Sequence, residues 1–116
     1  MYFAINIEAF EFGRSPGTDF TSMPTPPFHR GYAYRDYGNR AGLWRMLEVF
    51  DRLGIRGTMS LNLAVIEHYP EVFQACVSRG WDTMGHGLYN TRYMWGVSEE
   101  EERAHIVDCV ARFRRA

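Results

Sequence analysis

Residues 57–85, GTMSLNLAVIEHYPEVFQACVSRGWDTMG, contain the pattern that decides the fold. A strand-like run at 57–62 is followed by a helical stretch that begins at Pro70 and stops at Gly80, and a second strand-like run covers 81–85. Proline is favoured in the first turn of a helix and glycine just past its end. The segment therefore predicts a strand–helix–strand unit, whose right-handed crossover makes the two strands parallel.

The flanking sequence extends the same alternation. Residues 3–9 are apolar except for Asn6 and Glu8 and predict a first strand, and apolar positions at helical spacing predict a helix over 39–53 that stops at Gly54. Ser98 and Glu101 form a capping box that begins a last helix. We expect residues 10–37 and 86–97 to be irregular connections. The chain is thus predicted to be α/β with parallel strands.

Composition excludes several classes of protein. The chain has 116 residues, enough for one core, and 16% aromatic residues, too many for a disordered chain. A net charge of −1 argues against binding nucleic acid by bulk electrostatics, and no apolar run is long enough to span a membrane. The first residues do not resemble a signal peptide, and Cys76 and Cys109 form no CxxC pair. We therefore expect a cytoplasmic protein with reduced thiols.

Polar residues stand where the predicted strands end: Glu8, Asn62 and His86. In parallel α/β folds, functional groups collect at the carboxyl ends of the strands. Glu8 can act there as a general base, or it can form a salt bridge with a loop arginine such as Arg35 or Arg40. His86 lies between two glycines, and an accessible imidazole can bind a metal, move a proton or stabilise an oxyanion.

The remaining candidates are less specific. The cluster Arg35-Asp36-Tyr37-Gly38 precedes the predicted first helix, and its arginine can clamp a carboxylate or carbonyl-rich substrate, or it can pair with Asp36 or Glu8 and only order the loop. The other three histidines are expected to be surface or packing residues: His29, His68 and His105.

Five segments in the right order resemble the polysaccharide deacetylase superfamily, also known as the NodB-homology or carbohydrate esterase 4 group. Within it, the chain is most similar to the branch of allantoinase-like and cyclic-imide-hydrolase-like proteins. The resemblance covers residues 3–110 and is carried by residues 37–45 (YGNRAGLWR), 54–58 (GIRGT), 69–72 (YPEV), 80–87 (GWDTMGHG) and 98–103 (SEEEER).

The resemblance implies a distorted (β/α)7-type barrel and a metal held by one Asp and two His. Carried over by position, the family's acidic pair falls on Glu8 and Ala9, and its histidine pair falls on His86 and Asn90. Glu8 keeps the role of a base, and His86 is the only metal ligand retained. We expect no required cofactor, and a divalent ion such as zinc would bind weakly, because catalytic sites usually supply three protein ligands.

The function implied by the resemblance is hydrolysis of a non-peptide carbon–nitrogen bond in a small amide, imide or N-acetyl carbohydrate. Glu8 and His86 would be catalytic, and four residues would contact substrate: Arg35, Tyr37, Arg40 and Asn90. The alternatives are a non-catalytic member that binds a carbohydrate or small ligand, and an inactive truncated fragment.

Three predicted strands form an incomplete barrel. We therefore expect residues 1–116 to be the truncated N-terminal portion of a deacetylase-like domain, comprising the first three βα units and inactive alone. We expect a small-molecule or carbohydrate substrate and no nucleic-acid or membrane partner. An open sheet edge is also compatible with a homo-oligomer.

Overall fold

A computed structural model describes residues 2–12 and 29–116 of the chain. In this part, three strands form one parallel sheet in the order β1-β2-β3: β1 Ala4–Ile7, β2 Thr58–Leu61 and β3 Asp82–Gly85. The register aligns Ile7 with Leu61 and Leu61 with Gly85, so the three strands end at the same level. The α/β architecture with parallel strands is confirmed.

Helices separate the strands along the chain. A π-helical turn at Gly38–Gly42 joins the first two helices, and β2 is followed by two further helices that share the bend at Tyr69. The helices are α1 His29–Tyr37, α2 Leu43–Leu53, α3 Ala64–His68, α4 Pro70–Val77 and α5 Glu99–Phe113.

Two helices differ from the sequence-based prediction. Residues 29–37, predicted to be irregular, form α1, and α3 was not predicted. The only buried residue of α1 is Gly31, so this helix has no apolar stripe from which the sequence could reveal it. Of residues 10–37, which we expect to be irregular, residues 13–28 lie outside the described part of the chain.

The central strand β2 is buried along its whole length and organises the core. Met59 and Leu61 are fully buried on this strand, and Leu47 of α2 and Val72 of α4 are buried among the same cluster. Burial of apolar side chains is the main term that stabilises such an arrangement, at about 25 cal/mol for each Å² removed from water. The core therefore fixes the level at which the strands end.

Aromatic side chains pack together at the end of the sheet where the three strands begin. The rings of Phe3 and Phe50 lie 5.5 Å apart, and those of Phe50 and Trp81 lie 5.4 Å apart. The Trp81 ring packs on Gly57, where a Cβ atom would lie only 3.0 Å from it. A side chain at position 57 would therefore require the Trp81 indole to shift by a few tenths of an ångström.

Helix α5 is capped as predicted but is not buried. The Ser98 hydroxyl accepts a hydrogen bond from the Glu101 backbone N–H, and the Ser98 backbone N–H donates to the Glu101 carboxylate. These contacts with Ser98 lower the pKa of Glu101. No residue of α5 is buried, although Ile106, Val107 and Val110 are apolar. Its N-terminal capping box, rather than core packing, fixes where the helix begins.

The described helices were compared with the requirements for spanning a membrane. No helix among residues 2–12 and 29–116 combines the length and the apolar character that crossing a bilayer requires.

Candidate active site

The three strands deliver one polar residue each to the same edge of the sheet. Glu8, Asn62 and His86 directly follow the last residues of β1, β2 and β3, which share one level in the register. The backbone N–H of Asn62 donates to the carbonyl of Ile7 at 3.0 Å, and that of His86 donates to the carbonyl of Leu61 at 2.8 Å. Parallel pairing thus continues past the strands and brings the three predicted residues together.

Glu8 and His86 form a direct side-chain pair. The Nε2 atom of His86 lies 3.4 Å from the Oε1 atom of Glu8. The two side chains are only partly exposed, at 38% for His86 and 26% for Glu8. A carboxylate and an imidazole in this arrangement can exchange protons with a bound molecule from the solvent side.

Asn62 is the buried residue between them. Its side-chain Oδ1 accepts a hydrogen bond from the backbone N–H of Ala9 at 3.0 Å, and its Nδ2 donates to the backbone carbonyl of His86. The residue is completely buried. Asn62 therefore ties the backbone after β1 to the backbone after β3.

A second buried asparagine approaches from the helical side. Asn39, in the π-helical turn, donates from Nδ2 to the backbone carbonyl of Glu8 at 2.7 Å. Asn90 was predicted to contact substrate, and its backbone N–H donates to the carbonyl of Ala9 at 2.8 Å. The segment that carries Glu8 is thus held by groups from three parts of the chain.

Arg35 lies beside Glu8 without an ion pair between them in the structure. Its guanidinium group lies 5.0 Å from the centre of the Phe10 ring and donates to the carbonyl of Gly31 at 3.2 Å. Arg35 and Glu8 both line a cavity of about 230 Å³ next to β1, which His86 does not line. A ligand in this cavity would meet one cationic and one anionic side chain.

The contacts of Arg40 and Tyr37 are with residues other than Glu8 and His86. The Nε atom of Arg40 donates to Asp36 at 2.5 Å, whereas the expected alternative was a pair between Arg35 and Asp36. The Tyr69 hydroxyl also donates to Asp36, and burial together with this bond raises the pKa of Tyr69 well above its usual value. Tyr37 is half exposed, with the Arg45 guanidinium 6.0 Å from its ring centre.

The other histidines make local contacts. His29 stacks on Phe12 with ring centres 5.0 Å apart, and His68 Nε2 lies 2.7 Å from the Tyr89 hydroxyl oxygen. His68 and Tyr89 line a second cavity of about 400 Å³ whose walls are largely aromatic. His105 lies 3.5 Å from the sulfur of Cys109.

Sequence reasoning did not assign a role to either buried asparagine. Asn62 is expected at a strand end without a function, and Asn39 is expected to begin the predicted helix over 39–53 and lies in a segment that resembles the family. Their bonds run to backbone groups 31 and 53 residues away in sequence. The only signal is a polar residue at the boundary of a predicted element, and it does not reveal the partner.

The residues at this edge do not fit a metal held by three protein ligands. Within residues 2–12 and 29–116, no three His, Cys, Asp or Glu side chains come together. Ala9 has no donor atom in its side chain, so one carboxylate and one imidazole remain. A catalytic metal site usually has three protein ligands.

Comparison with known proteins identifies relatives. Residues 30–116 match the family model described as polysaccharide deacetylase. The crystal structure of Puue allantoinase superposes with a TM-score of 0.77 at 22% identity, covering 98% of this chain and 41% of that one. A probable polysaccharide deacetylase from Pseudomonas aeruginosa PAO1 gives a TM-score of 0.76 at 23% identity, with 98% and 42% covered.

At these identities the two structures establish the fold alone, and the chain spans about two fifths of their length. Curated proteins contain no sequence that matches this one. The family match covers most of the chain, from α1 through α5. The chain belongs to the polysaccharide deacetylase family.

Proposed function

We propose that the protein is a hydrolase of non-peptide carbon–nitrogen bonds in which Glu8 and His86 carry the chemistry. The observation that supports this most directly is the 3.4 Å contact between the His86 Nε2 and Glu8 Oε1 atoms at the edge where the strands end. Members of parallel α/β folds place reacting groups at this edge. Membership in the deacetylase family is consistent with the reaction class.

In this proposal Glu8 is the general base. Its carboxylate takes a proton from a water molecule, whose oxygen adds to the carbonyl carbon of the substrate. His86, as the general acid, then gives a proton to the nitrogen as the carbon–nitrogen bond breaks. This step yields a carboxylic acid together with an amine from an amide, an amide from an imide or a urea from a ureide. General acid–base steps of this kind contribute about 10²- to 10⁴-fold to a rate. The proposal assigns no step to a metal ion, because the donor set does not fit one.

The proposed substrates are small amides, imides, ureides or N-acetyl carbohydrates. Arg35 supports this class because it lines the cavity of about 230 Å³ beside Glu8 and can bind a carbonyl oxygen. We include Tyr37, Arg40 and Asn90 as further substrate contacts. To contact substrate, the Arg40 side chain either leaves Asp36 or binds the substrate while it is still paired with Asp36.

The proposal extends to the whole protein. We propose that residues 1–116 form the N-terminal portion of a larger deacetylase-like domain, because the similar structures are more than twice as long as their matched part. A cytoplasmic location is proposed from the thiols of Cys76 and Cys109, which form no disulfide. Self-association through an open sheet edge is also included.

The test is hydrolysis by the full reading frame that contains residues 1–116. Allantoin, a cyclic imide and N-acetylglucosamine oligomers are offered separately, with chelator or with added zinc, and release of product is measured by chromatography. We expect turnover of one class, insensitive to chelator, and its loss in Glu8→Gln and His86→Asn variants. The matched control is Glu48→Gln, a carboxylate exposed on α2. Full turnover in both site variants would contradict the proposal.

A second candidate is a protein that binds a carbohydrate without cleaving it. The cavity of about 400 Å³ favours it, because Phe10, Tyr69 and Tyr89 supply aromatic walls on which a sugar ring can stack. Calorimetry with the same oligomers separates the two: binding that is unaffected by Glu8→Gln, with no product released, would support this candidate and not the hydrolase.

A further inference from the structure

The peptide group between Glu8 and Ala9 is held on both sides by buried asparagine side chains. Its carbonyl, which belongs to Glu8, accepts a hydrogen bond from Nδ2 of Asn39 at 2.7 Å. Its N–H, which belongs to Ala9, donates to Oδ1 of Asn62 at 3.0 Å. Because a peptide group is planar, fixing both its polar atoms fixes the plane from which the Glu8 side chain departs.

Asn62 extends the same chain of bonds to the histidine. Its Nδ2 atom donates to the carbonyl of His86, so one amide group connects the residue after Glu8 to the residue that carries the imidazole. The amide has one possible orientation here. If it were flipped, its NH₂ group would face the N–H of Ala9 and its oxygen would face the carbonyl of His86.

Burial makes the hydrogen bonds of Asn39 and Asn62 costly to break. Asn62 is completely buried and Asn39 is 7% exposed. A buried polar group that loses its partner costs about 1–3 kcal/mol, whereas an exposed one can bond to water instead. The bonds therefore fix the geometry more firmly than surface contacts would.

The π-helical turn at Gly38–Gly42 carries Asn39, whose side chain donates the hydrogen bond to the Glu8 carbonyl. Asn39 is the second residue of this turn, and α1 and α2 flank it on either side. π-Helical turns are rare, and they occur frequently at functional sites. In this protein the turn carries the buried amide that reaches Glu8.

We propose that Asn39 and Asn62 are positioning residues that set the distance between the Glu8 carboxylate and the His86 imidazole. The hydrogen bonds of both side chains run to the backbone that carries Glu8 and His86, and Asn39 also lines the cavity of about 230 Å³ beside Glu8. The assignment of a catalytic purpose rests on the proposed function, whereas the positioning itself can be measured without turnover.

The test is a coupling experiment by nuclear magnetic resonance at one fixed pH. When no other residue is changed, Glu8→Gln is expected to shift the imidazole ¹⁵N resonances of His86, because the two side chains are in contact. In Asn62→Ala and Asn39→Ala backgrounds the same substitution is expected to leave those resonances unchanged. The matched control background is Ser60→Ala, which removes the buried polar side chain of a β2 residue two positions before Asn62 and should preserve the shift.

Two measurements keep the inference falsifiable if an alanine variant does not fold. Asn62→Asp keeps an oxygen acceptor for the Ala9 N–H and loses the amide donor to His86, so it should weaken the coupling while the Ala9 amide remains protected. In the unmodified chain, the Ala9 amide should exchange slowly with solvent. An Ala9 amide that exchanges at the rate of a free peptide, or undiminished coupling in a folded Asn62 variant, would overturn the inference.

Turnover provides a separate readout. Asn39→Ala and Asn62→Asp are expected to lower kcat by about 10²-fold, the effect of misplacing a reacting group by roughly 1 Å, with KM little changed. If no substrate is hydrolysed but the resonance coupling still depends on Asn62, the proposed function fails and the positioning inference stands. If turnover requires Glu8 and His86 but the coupling does not depend on either asparagine, the reverse holds.

Discussion

His86 Nε2 lies 3.4 Å from Glu8 Oε1, although the strands that carry the two residues are not neighbours in the sheet. The strand β2 lies between them, and Asn62, the residue that directly follows β2, bonds to both sides. The contact therefore depends on the register of all three strands. It cannot form from β1 and β3 alone.

The pair should behave as a unit in catalysis. We expect Glu8→Gln and His86→Asn each to lower kcat by about 10²- to 10⁴-fold. The double variant should be no slower than the more severe single variant. When two groups act as a unit, removing either one already removes the rate enhancement that depends on both. The measurement is kcat of the unmodified protein, the two single variants and the double variant. If the losses of the single variants add up in the double variant as free energies of activation, the two residues act independently.

Zinc should bind weakly to this edge of the sheet. Among the described residues, the site offers one carboxylate and one imidazole. After dialysis, elemental analysis is expected to find less than one zinc ion per chain, and His86→Asn should not change that value. One tightly held ion per chain that His86→Asn removes would show that further ligands complete the site.

Stability should depend on pH through Cys76. Burial raises the pKa of the Cys76 thiol to about 11, from an ordinary value of 9.0. The folded chain holds this proton more tightly, so its contribution to stability is full below pH 9 and is lost as the pH rises from 9 towards 11. The loss should be about 2 kcal/mol.

Urea unfolding at several pH values measures this effect. Both proteins should carry Cys109→Ser, because burial also raises the pKa of Cys109. The protein with Cys76 should lose more stability between pH 9 and 11 than the one with Cys76→Val. Parallel pH profiles for the two would contradict the assignment.

A methyl group at position 57 should disturb the aromatic end of the sheet. The added Cβ would lie 3.0 Å from the Trp81 ring, so Gly57→Ala is expected to destabilise the fold by about 1–3 kcal/mol. Gly38→Ala is the matched control, since nothing lies within 4 Å of a Cβ there. Thermal unfolding compares them, and equal stability of the two variants would show that the indole moves away freely.

Local patterns predicted most of the architecture. Pro70 begins a helix that ends at Val77, three residues before the predicted stop at Gly80, Gly54 ends another in the left-handed conformation, and Ser98 with Glu101 begins the last one. These signals act within a few residues, so the sequence displays them directly. Helix α1 could not be found in this way, because its only buried residue is a glycine.

Two residues of the candidate site could be named from the sequence, because the ends of strands are also local features. Strand ends are visible in the sequence, so Glu8 and His86 could be named as candidates before any coordinates. Arg40 was expected to contact substrate, and the structure pairs it with Asp36 four residues earlier. Either contact is compatible with the sequence, since both involve an exposed arginine.

The sequence by itself determined the alternation of strands and helices, the caps and the residues at the strand ends, because these follow from propensities and spacing. The tertiary structure decided which of those residues meet. Glu8 contacts His86 across β2, and Asn39 and Asn62 bind the two sides of one peptide group. Such contacts depend on register and burial, which are properties of the packed chain and not of any one segment.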